Sequence, residues 1–399
     1  MKTTKSHKVL ILGGGYAGLM AAARIGSRAA VTLVDARPEF SQRIRFHELL
    51  AGGSPKTLDF ARWLGRRGAR FVQARVESLE PGRRMAMARS ADEKKIELGY
   101  DTLILALGSA TAAGVPGVAE NAVRLDDPAA IRQTAARVQE LAGSGGRVLV
   151  AGGGLTGIET ATELAERYPG LRVTLATRGR VGEGYSAAGA DHLRQRLSGL
   201  GVTILDDSVV QELEPGRAWL ADGRIGFDLC VWAGGFAAPP LAREAGLAVD
   251  GCGRAIVDPD LRAAGHPEIL VAGDSALATF PDGRAIRMGC VSALPMGAHA
   301  GENVRRMLRG EAPVPFDFGF AIRCISLGRK EGLVQFVDPD DAPRAKVWTG
   351  RRAVFTKEAI CRMTYGVVRE ELRLGARLYR WPGSGLAAVS SSAKRVVQA

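Results

Sequence analysis

Two glycine-rich turns supply the residues of this sequence that are best spaced to hold a diphosphate. Residues 9–18 read VLILGGGYAG, and residues 148–157 read VLVAGGGLTG. In G-x-G-x-x-G, the first glycine permits a tight turn, the second lets a pyrophosphate approach the backbone, and the third lets helix and strand pack closely. The helix N-terminus offers unpaired N–H groups and a partial positive charge to the phosphates. The predicted dinucleotide-binding glycines are Gly13, Gly15, Gly18, Gly152, Gly154 and Gly157.

The two units differ in the residue that follows their second apolar run. The first run ends in Asp35, a carboxylate placed to accept hydrogen bonds from ribose hydroxyls. The second is followed by Thr177, Arg178 and Arg180, and these groups would accept a ribose 2′-phosphate that an acid would repel. We therefore expect FAD at the first turn and NADPH, in preference to NADH, at the second. The alternative is that Arg178 and Arg180 are solvated loop charges.

The elements around these turns are typical of an α/β protein. Short apolar runs at 8–12 and 147–151 predict buried parallel strands, and the segment after each turn predicts a helix. The 399 residues suffice for two or three domains, and none of the chain forms an apolar run of 18 residues. Five scattered cysteines favour a reducing compartment over a disulfide framework, a zinc site or a CxxC pair. We expect a cytoplasmic protein without a metal.

Four further segments resemble motifs of one flavoprotein family, and each follows or contains an apolar strand or helix. They are ALG at 106–108, WAGG at 232–235, HPEILVAGDSALA at 266–278 and MGCVSALPMGAHAGENV at 288–304. Together with the glycine turns, they make the chain resemble the FAD-dependent pyridine nucleotide-disulfide oxidoreductase superfamily, in particular its type II NADH dehydrogenase-like branch. The stretch CISLGRKEGLVQF at 324–336 resembles an element of that branch that packs near the flavin.

The resemblance implies an architecture of two Rossmann-like, three-layer dinucleotide-binding domains. The FAD domain would be split between residues 1–110 and 245–318, with the NAD(P)H domain inserted at 111–244. Residues 319–399 would form a C-terminal α+β region, strand-like first and helical later. The DGR sequence at 222–224 lies between two short strand-like runs and predicts a hairpin.

The resemblance also implies which residues contact the cofactors. Asp274 would bond a ribityl hydroxyl, while the helix that follows it faces the flavin phosphate. In addition to the turn glycines and Asp35, the predicted contacts are Tyr16, Ala17, Ala36, Arg45, Val76, Ala106, Gly108, Gly273, Asp274 and Pro295 for FAD, and Leu155, Thr156, Thr177, Arg178 and Gly234 for the nicotinamide nucleotide.

Three side chains are candidates for catalysis. Glu159 matches a family glutamate that would bond the nicotinamide carboxamide and orient the ring toward flavin N5; the alternative is a surface helix carboxylate. Arg45 and His47 are two residues apart and would face the same way in an extended segment. There the arginine could stabilise anionic flavin, and the histidine could pass protons. The alternative is that Arg45 only bonds the FAD pyrophosphate and His47 caps a helix.

Redox-active thiols are not expected. Relatives of the disulfide reductase type carry a cysteine beside the flavin, whereas residues 36–53 contain none. Cys290 and Cys324 belong to segments that the resemblance places near the flavin, but they form no dithiol motif, and a free cysteine is usually a small buried hydrophobe.

The C-terminal tail is strongly basic. Residues 344–399 hold 12 Lys/Arg against 3 Asp/Glu, a net +9 of the chain's +12. Cations alternate with an apolar series at near-helical spacing, which suits a helix on an anionic membrane surface or one packed on its own domain or a dimer partner. Pro382 would end this helix. The apolar series is Val354, Ile360, Met363, Val367, Leu372 and Leu378.

The leading functional prediction is an FAD enzyme that takes hydride from NAD(P)H and passes electrons to a quinone or similar small acceptor. The alternatives are a flavin-dependent oxidase or dehydrogenase of a biosynthetic intermediate, a reductase of a ferredoxin-like protein, and a flavin-bound redox sensor. The basic charge has no nucleic-acid recognition motif beside it. A homodimer and a peripheral membrane contact through the tail are compatible with the sequence.

Overall fold

A computed structural model describes residues 6–112 and 114–385 of the protein. Its largest sheet has eight strands, six from residues 8–99 and 102–105 and two from residues 262–271. Its centre is parallel, and the strand Lys8–Leu12 lies between two neighbours with its apolar side chains buried, as expected for a parallel strand covered on both faces. In order across the sheet, the strands are Arg262–Ala263, His266–Val271, Thr102–Leu105, Lys8–Leu12, Ala30–Asp35, Arg70–Glu80, Met85–Ser90 and Lys95–Gly99.

A second sheet of five strands is parallel throughout. In its central pair Val148 lies opposite Val173, in the same relation as Val9 and Val31 in the first sheet. The order is Val123–Arg124, Leu229–Trp232, Arg147–Ala151, Arg172–Ala176 and Thr203–Leu205.

Smaller antiparallel and two-stranded units complete the strands. The hairpin predicted around 222–224 is confirmed, since Arg217–Leu220 pairs with Gly223–Gly226 across a tight turn. The other small units are Val210–Glu214 beside that hairpin, Glu39–Ser41 with Thr57–Asp59, Ala110–Thr111 with Phe236–Ala237, and Ala255–Ile256 with Ala276–Leu277.

Ten α-helices lie within the described residues. The helices Tyr16–Ile25 and Cys290–Met307 pack very closely: a Cβ on Gly297 of the second would lie only 2.5 Å from the Cα of Ala17 in the first. The helices are α1 (Tyr16–Ile25), α2 (Phe46–Leu50), α3 (Phe60–Gly65), α4 (Val118–Asn121), α5 (Pro128–Ser144), α6 (Leu155–Arg167), α7 (Ala187–Gly199), α8 (Leu241–Glu244), α9 (Cys290–Met307) and α10 (Gly350–Leu374).

The C-terminal region has the predicted order of strands before helix. An antiparallel sheet of Ile322–Ser326, Gly332–Val337 and Pro343–Thr349 leads into α10. The expectation that α10 would continue to Pro382 is wrong, because Gly375 takes φ +68° and its N–H caps the helix on the Glu371 carbonyl. Residues 386–399 of the predicted region lie outside the described residues.

The buried face of α10 differs from the predicted apolar series. Of that series only Leu372 is fully buried, whereas Met363 and Leu378 are exposed. The helix buries a stripe of mixed side chains against its own chain, while Phe355 and Met363 are exposed on its other side. The buried residues are Ala353, Cys361, Thr364, Val368, Glu371 and Leu372.

A mixed sheet with a parallel centre and a fully parallel sheet, both with packed helices and followed by an antiparallel sheet and a long helix, confirm the predicted α/β class. The domain boundaries predicted at 110, 245 and 318 stay predictions. No helix of the described residues has the length and apolar character required to cross a bilayer.

Candidate active site

The first glycine turn connects the strand Lys8–Leu12 to α1. Gly13 takes φ +102°, a left-handed value that L side chains rarely adopt, and a Cβ on Gly18 would overlap the carbonyl oxygen of Gly13. Gly15 precedes α1, and no heavy atom lies within 4 Å of the position that a Cβ would take there. The N–H groups that begin α1 therefore open onto free space, which fits a pyrophosphate.

Asp35 lies beside this turn, at the end of its strand. Its Oδ2 accepts a hydrogen bond from the Gly14 N–H at 2.8 Å, and its Oδ1 accepts one from the Arg37 N–H at 2.9 Å. The backbone thus fixes the carboxylate at the edge of the turn, and its remaining lone pairs can accept ribose hydroxyls. Of the other predicted contacts, Ala36 is exposed next to it and Val76 is half-buried on a neighbouring strand.

The second turn repeats this geometry ahead of α6. Gly152 takes φ +128°, and Gly154 has the same open space at its Cβ position as Gly15. Thr177 occupies the place that Asp35 takes in the first unit, since a Cβ on Gly153 would overlap the Thr177 hydroxyl. The structure thus brings a hydroxyl to the edge of the second turn.

The remaining predicted residues of the second site surround the same turn. Arg178 is exposed, and Arg180 is 78% exposed with its Nε 3.9 Å from Asp207. Leu155 and Thr156 begin α6 and are half-buried, while Gly234 is exposed at the end of an adjacent strand.

Asp274 follows a late strand of the eight-stranded sheet and lies close to the first glycine turn, since the neighbouring Gly273 packs on Ala17. Its Oδ2 accepts a hydrogen bond from the Ser109 hydroxyl at 2.7 Å, and its Oδ1 accepts one from the Gly289 N–H at 2.8 Å. The carboxylate therefore ties the predicted segment around Gly108 to the start of α9. Ser109 was not predicted, because a single serine after a glycine carries no motif.

Four more predicted contacts pack around the first turn. Ala106 places its carbonyl against Gly13, so that a Cβ on Gly13 would overlap it. A Cβ on Gly273 would lie 3.1 Å from the Cβ of Ala17, and Pro295 is buried within α9. The residues predicted for the flavin site from separate parts of the sequence are thus gathered at one end of the eight-stranded sheet.

A buried ion pair joins α6 to α10. Glu159 Oε1 lies 2.9 Å from Lys357 Nζ and also accepts a hydrogen bond from the Ser326 N–H at 3.0 Å. Burial opposes both charges, yet the attraction prevails: the pKa of Glu159 is lowered, and the pKa of Lys357 is raised well above its usual value. Both groups are therefore charged at neutral pH.

Sequence reasoning missed Lys357 by counting it among the surface cations of the tail. It lies four residues before Cys361 and seven before Thr364, both buried, so it falls on the inner face of α10. The helical spacing places Lys357 on the same face as Cys361 and Thr364. The sequence alone does not show that this face of the helix is the buried one.

His47 is 3% exposed and faces this pair from α2. Its Nδ1 lies 3.7 Å from Glu159 Oε2, and its Nε2 lies 3.9 Å from Glu48 Oε1. Burial lowers the pKa of His47, although both carboxylates work in the opposite direction. The imidazole is therefore neutral near pH 7.

Arg45 is held by carboxylates on two helices. Its guanidinium donates to Glu48 of α2 at 2.8 Å and to Glu358 of α10 at 2.7 Å. Glu48 in turn lies 3.2 Å from Arg329, which also binds Glu163 of α6 at 2.8 Å. The three predicted catalytic residues thus belong to one charged cluster where α2, α6 and α10 meet, and their roles stay predictions.

The cysteines near this cluster are protonated. Burial raises the pKa of Cys290 to about 12 and that of Cys361 to about 11, and it also raises the pKa of Cys324. A neutral thiol is a poor nucleophile. All five cysteines of the chain are free.

The fold and the site together define a class of protein: an α/β protein with two matched glycine-rich turns, each ahead of a helix, and a charged cluster where α2, α6 and α10 meet. The sequence profile of the pyridine nucleotide-disulphide oxidoreductases matches residues 7–301. The chain therefore belongs to the pyridine nucleotide-disulphide oxidoreductase family, and it is an NAD(P)H-dependent flavoprotein oxidoreductase.

Proteins with similar sequences align with most of the chain. An NADH dehydrogenase-like protein of Mycobacterium tuberculosis is 32% identical over 325 residues, covering 74% of this chain and 80% of the relative. A type II NADH:quinone oxidoreductase of Staphylococcus aureus is 25% identical over 398 residues, covering 88% and 94%. These relatives confirm the resemblance to the type II NADH dehydrogenase-like branch.

Solved structures share the fold. The sulfide:quinone oxidoreductase of Aquifex aeolicus superposes with a TM-score of 0.78 at 20% identity and covers 92% of each chain. The NDH2 protein of Plasmodium falciparum, solved with NADH, gives a TM-score of 0.78 at 14% identity and covers 94% of this chain and 100% of its own.

Proposed function

We propose that this protein oxidises NADPH through bound FAD and reduces a quinone-type small acceptor. The observation that carries the proposal is the Glu159–Lys357 pair, which supplies a cation and an exchangeable proton where α10 meets α6, the helix that follows the second glycine turn. The names of the type II NADH:quinone oxidoreductase relatives support a quinone as the acceptor. Bound flavin would supply the hydride chemistry.

The residues of the chain would bind and orient the reactants. Gly13, Gly15 and Asp35 would hold the FAD pyrophosphate and ribose, and Asp274 would hold the ribityl chain. Lys357 would stabilise negative charge that develops on the acceptor oxygen, because a buried cation acts strongly where water is excluded. We also propose that the eight-stranded sheet belongs to a split FAD domain, 1–110 with 245–318, and the five-stranded sheet to an NADPH domain, 111–244.

Anaerobic stopped-flow experiments test the proposal. NADPH should bleach the flavin absorbance rapidly, and a water-soluble quinone should then restore it within the turnover time. Bleaching that no quinone reverses would contradict the quinone proposal. In that case, reoxidation by a ferredoxin-like protein or by a biosynthetic intermediate would indicate which alternative holds.

The cofactor preference is tested by Arg178→Ser. The loss of one charge-assisted hydrogen bond, about 1.5–3 kcal/mol, should lower kcat/KM for NADPH by about 10- to 100-fold and leave that for NADH within about twofold. Arg217→Ser, at an exposed arginine of the hairpin, is the matched control and should change neither value. An equal loss for both nucleotides would contradict a 2′-phosphate contact.

We further propose a cytoplasmic protein with a peripheral membrane contact through the outer face of α10. On that face Phe355 is 76% exposed and Met363 is 43% exposed, and they alternate with exposed Arg351, Arg352 and Arg362. Apolar side chains interleaved with cations suit an anionic lipid surface.

A further inference from the structure

Reduction of a quinone by NADPH takes up one proton, which in the proposed function reaches the acceptor at the Glu159–Lys357 pair. The balanced reaction is NADPH + H⁺ + quinone → NADP⁺ + quinol, in which two electrons and one hydrogen nucleus come from NADPH and one proton comes from solvent. The Glu159 side chain, which faces Lys357, is only 8% exposed. The Lys357 side chain is 14% exposed, so the direct contact of the pair with solvent is small, and neighbouring polar groups offer protons a further route.

His47 occupies the place where such a path would run. Its two ring nitrogens face different carboxylates, Nδ1 toward Glu159 at 3.7 Å and Nε2 toward Glu48 at 3.9 Å. Among the described residues, Nε2 has no hydrogen-bond partner, although the side chain is 3% exposed. Buried polar atoms are nearly always hydrogen-bonded, so an unpaired ring nitrogen between two carboxylates calls for an explanation.

Glu48 connects this histidine to the surface. Its side chain is 18% exposed and is held by Arg45 at 2.8 Å and Arg329 at 3.2 Å, and the Arg329 side chain is 43% exposed. The sequence of groups from solvent inward is therefore Glu48, His47, Glu159 and Lys357, and no step between neighbouring groups exceeds 3.9 Å.

We propose that His47 transfers protons between Glu48 and the Glu159–Lys357 pair, an inference that rests on the proposed quinone reduction. Glu48 takes a proton from solvent and passes it to Nε2, Nδ1 releases its own proton to Glu159, and Lys357 gives one to the acceptor oxygen and recovers it from Glu159. Rotation of the ring or exchange through water then restores the starting tautomer. Distances of 3.7 and 3.9 Å exceed hydrogen-bonding range by less than 1 Å. A small side-chain shift or one bridging water closes each gap.

The groups around His47 favour a neutral ring that can transfer protons over a ring that stays protonated. The charged groups that face it are Glu48 of α2, Glu159 of α6, Lys357 of α10 and Arg329 of the turn before Gly332–Val337. The carboxylates favour a protonated ring, whereas burial and the two cations oppose it, and the pKa falls below 6.5. A neutral ring has one donor and one acceptor nitrogen, as proton transfer requires.

The test compares His47→Gln with His192→Gln. Glutamine keeps polarity and approximate size but cannot exchange protons in this way. His192 is a matched control, because its Nε2 also faces a carboxylate, Glu331, at 3.5 Å, outside the cluster. Reduction by NADPH and reoxidation by a water-soluble quinone are measured separately between pH 6 and 9, and thermal unfolding verifies that both variants are folded.

His47→Gln should slow quinone reoxidation by about 10- to 100-fold, most strongly at high pH where protons are scarce, and imidazole should restore part of the rate. Hydride transfer from NADPH takes up no proton, so flavin bleaching should stay within about twofold. His192→Gln should change neither step. A folded His47→Gln protein that reoxidises at the wild-type rate at every pH would overturn the relay.

Two results separate this inference from the proposed function. If the wild-type protein does not react with quinones, the function itself fails. If the wild-type protein does react, the rate at which quinone reoxidises His47→Gln decides whether His47 transfers protons. A readout independent of turnover is the NMR titration of ¹³C-labelled histidine: one signal, absent in His47→Gln, should titrate below pH 6.5. A His47 signal that titrates above 6.5 would contradict the neutral ring.

Discussion

Glu159 and Lys357 each carry a charge that the interior tolerates only because the other is present. Removal of one partner from a buried pair leaves an uncompensated charge, which costs about 3–5 kcal/mol. Glu159→Gln and Lys357→Met should each lower the free energy of unfolding by about that amount, and the double variant should lose less than the sum of the two. Urea denaturation measures all three.

Lys346→Met is the control for this pair. Lys346 is an exposed lysine whose Nζ lies 4.6 Å from the Phe336 ring centroid, so its replacement should cost less than about 1 kcal/mol. Fully additive losses at Glu159 and Lys357 would show that the two residues do not stabilise each other.

The same pair predicts a pH dependence of stability. The folded-state pKa of Glu159 is lowered from 4.5, so the unfolded state binds more protons as the pH falls below that value. The stabilisation is complete above about pH 4.5 and is lost as the pH falls through the lowered pKa. The difference in unfolding free energy between wild type and Glu159→Gln should therefore be constant from pH 6 to 8 and shrink below 4.5. A difference that grows on acidification would contradict an ionised Glu159.

At the scale of the element, α10 is fixed to α1 by a buried ion cluster. Arg24, 3% exposed, donates from Nη2 to Glu371 at 2.7 Å and to the Tyr379 carbonyl at 2.7 Å, and it also pairs with Glu302. Glu371 accepts the Leu378 N–H at 2.9 Å. One arginine thus holds both the end of α10 and the segment after it.

Arg24→Met should free this end of the helix. It leaves Glu371 buried without a counter-charge, so we expect a loss of about 3–5 kcal/mol and faster proteolysis within residues 375–381. Arg369→Ala removes a more exposed pair with Glu370 on the same helix and should cost at most about 1 kcal/mol. Equal protease resistance of Arg24→Met and Arg369→Ala would show that the cluster does not anchor α10.

At the scale of the whole molecule, the charge asymmetry predicts where the protein meets other surfaces. The described part of the tail exposes basic and apolar residues on the outer face of α10, while the inner face packs on α1, α3 and the C-terminal antiparallel sheet. We expect the protein to sediment with anionic vesicles and to be released as salt rises.

Phe355→Glu combined with Met363→Glu should reduce vesicle binding at least about tenfold, since it removes two apolar contacts and adds two negative charges. Ile256→Glu, at an apolar residue exposed outside α10, is the control and should leave binding unchanged. Equal sedimentation of both variants would exclude α10 as the contact.

The fold was largely predictable from the sequence because its main signals are local. Gly13 and Gly152 take left-handed backbone, and the short apolar runs before them favour buried strands, so neighbouring residues largely determine both glycine turns. The end of α10 was misjudged for the same local reason: Gly375 alone caps the helix, but Pro382 carried the stronger signal.

The sequence by itself determined that two glycine turns stand before two helices, that Asp35 ends the strand beside the first, and that Thr177 follows the strand beside the second. Only the tertiary structure decided which charges meet. Glu159 and Lys357 are 198 positions apart, and His47 lies more than a hundred residues before either. No local pattern pairs residues so distant, because their contact depends on how α2, α6 and α10 pack around a shared interior.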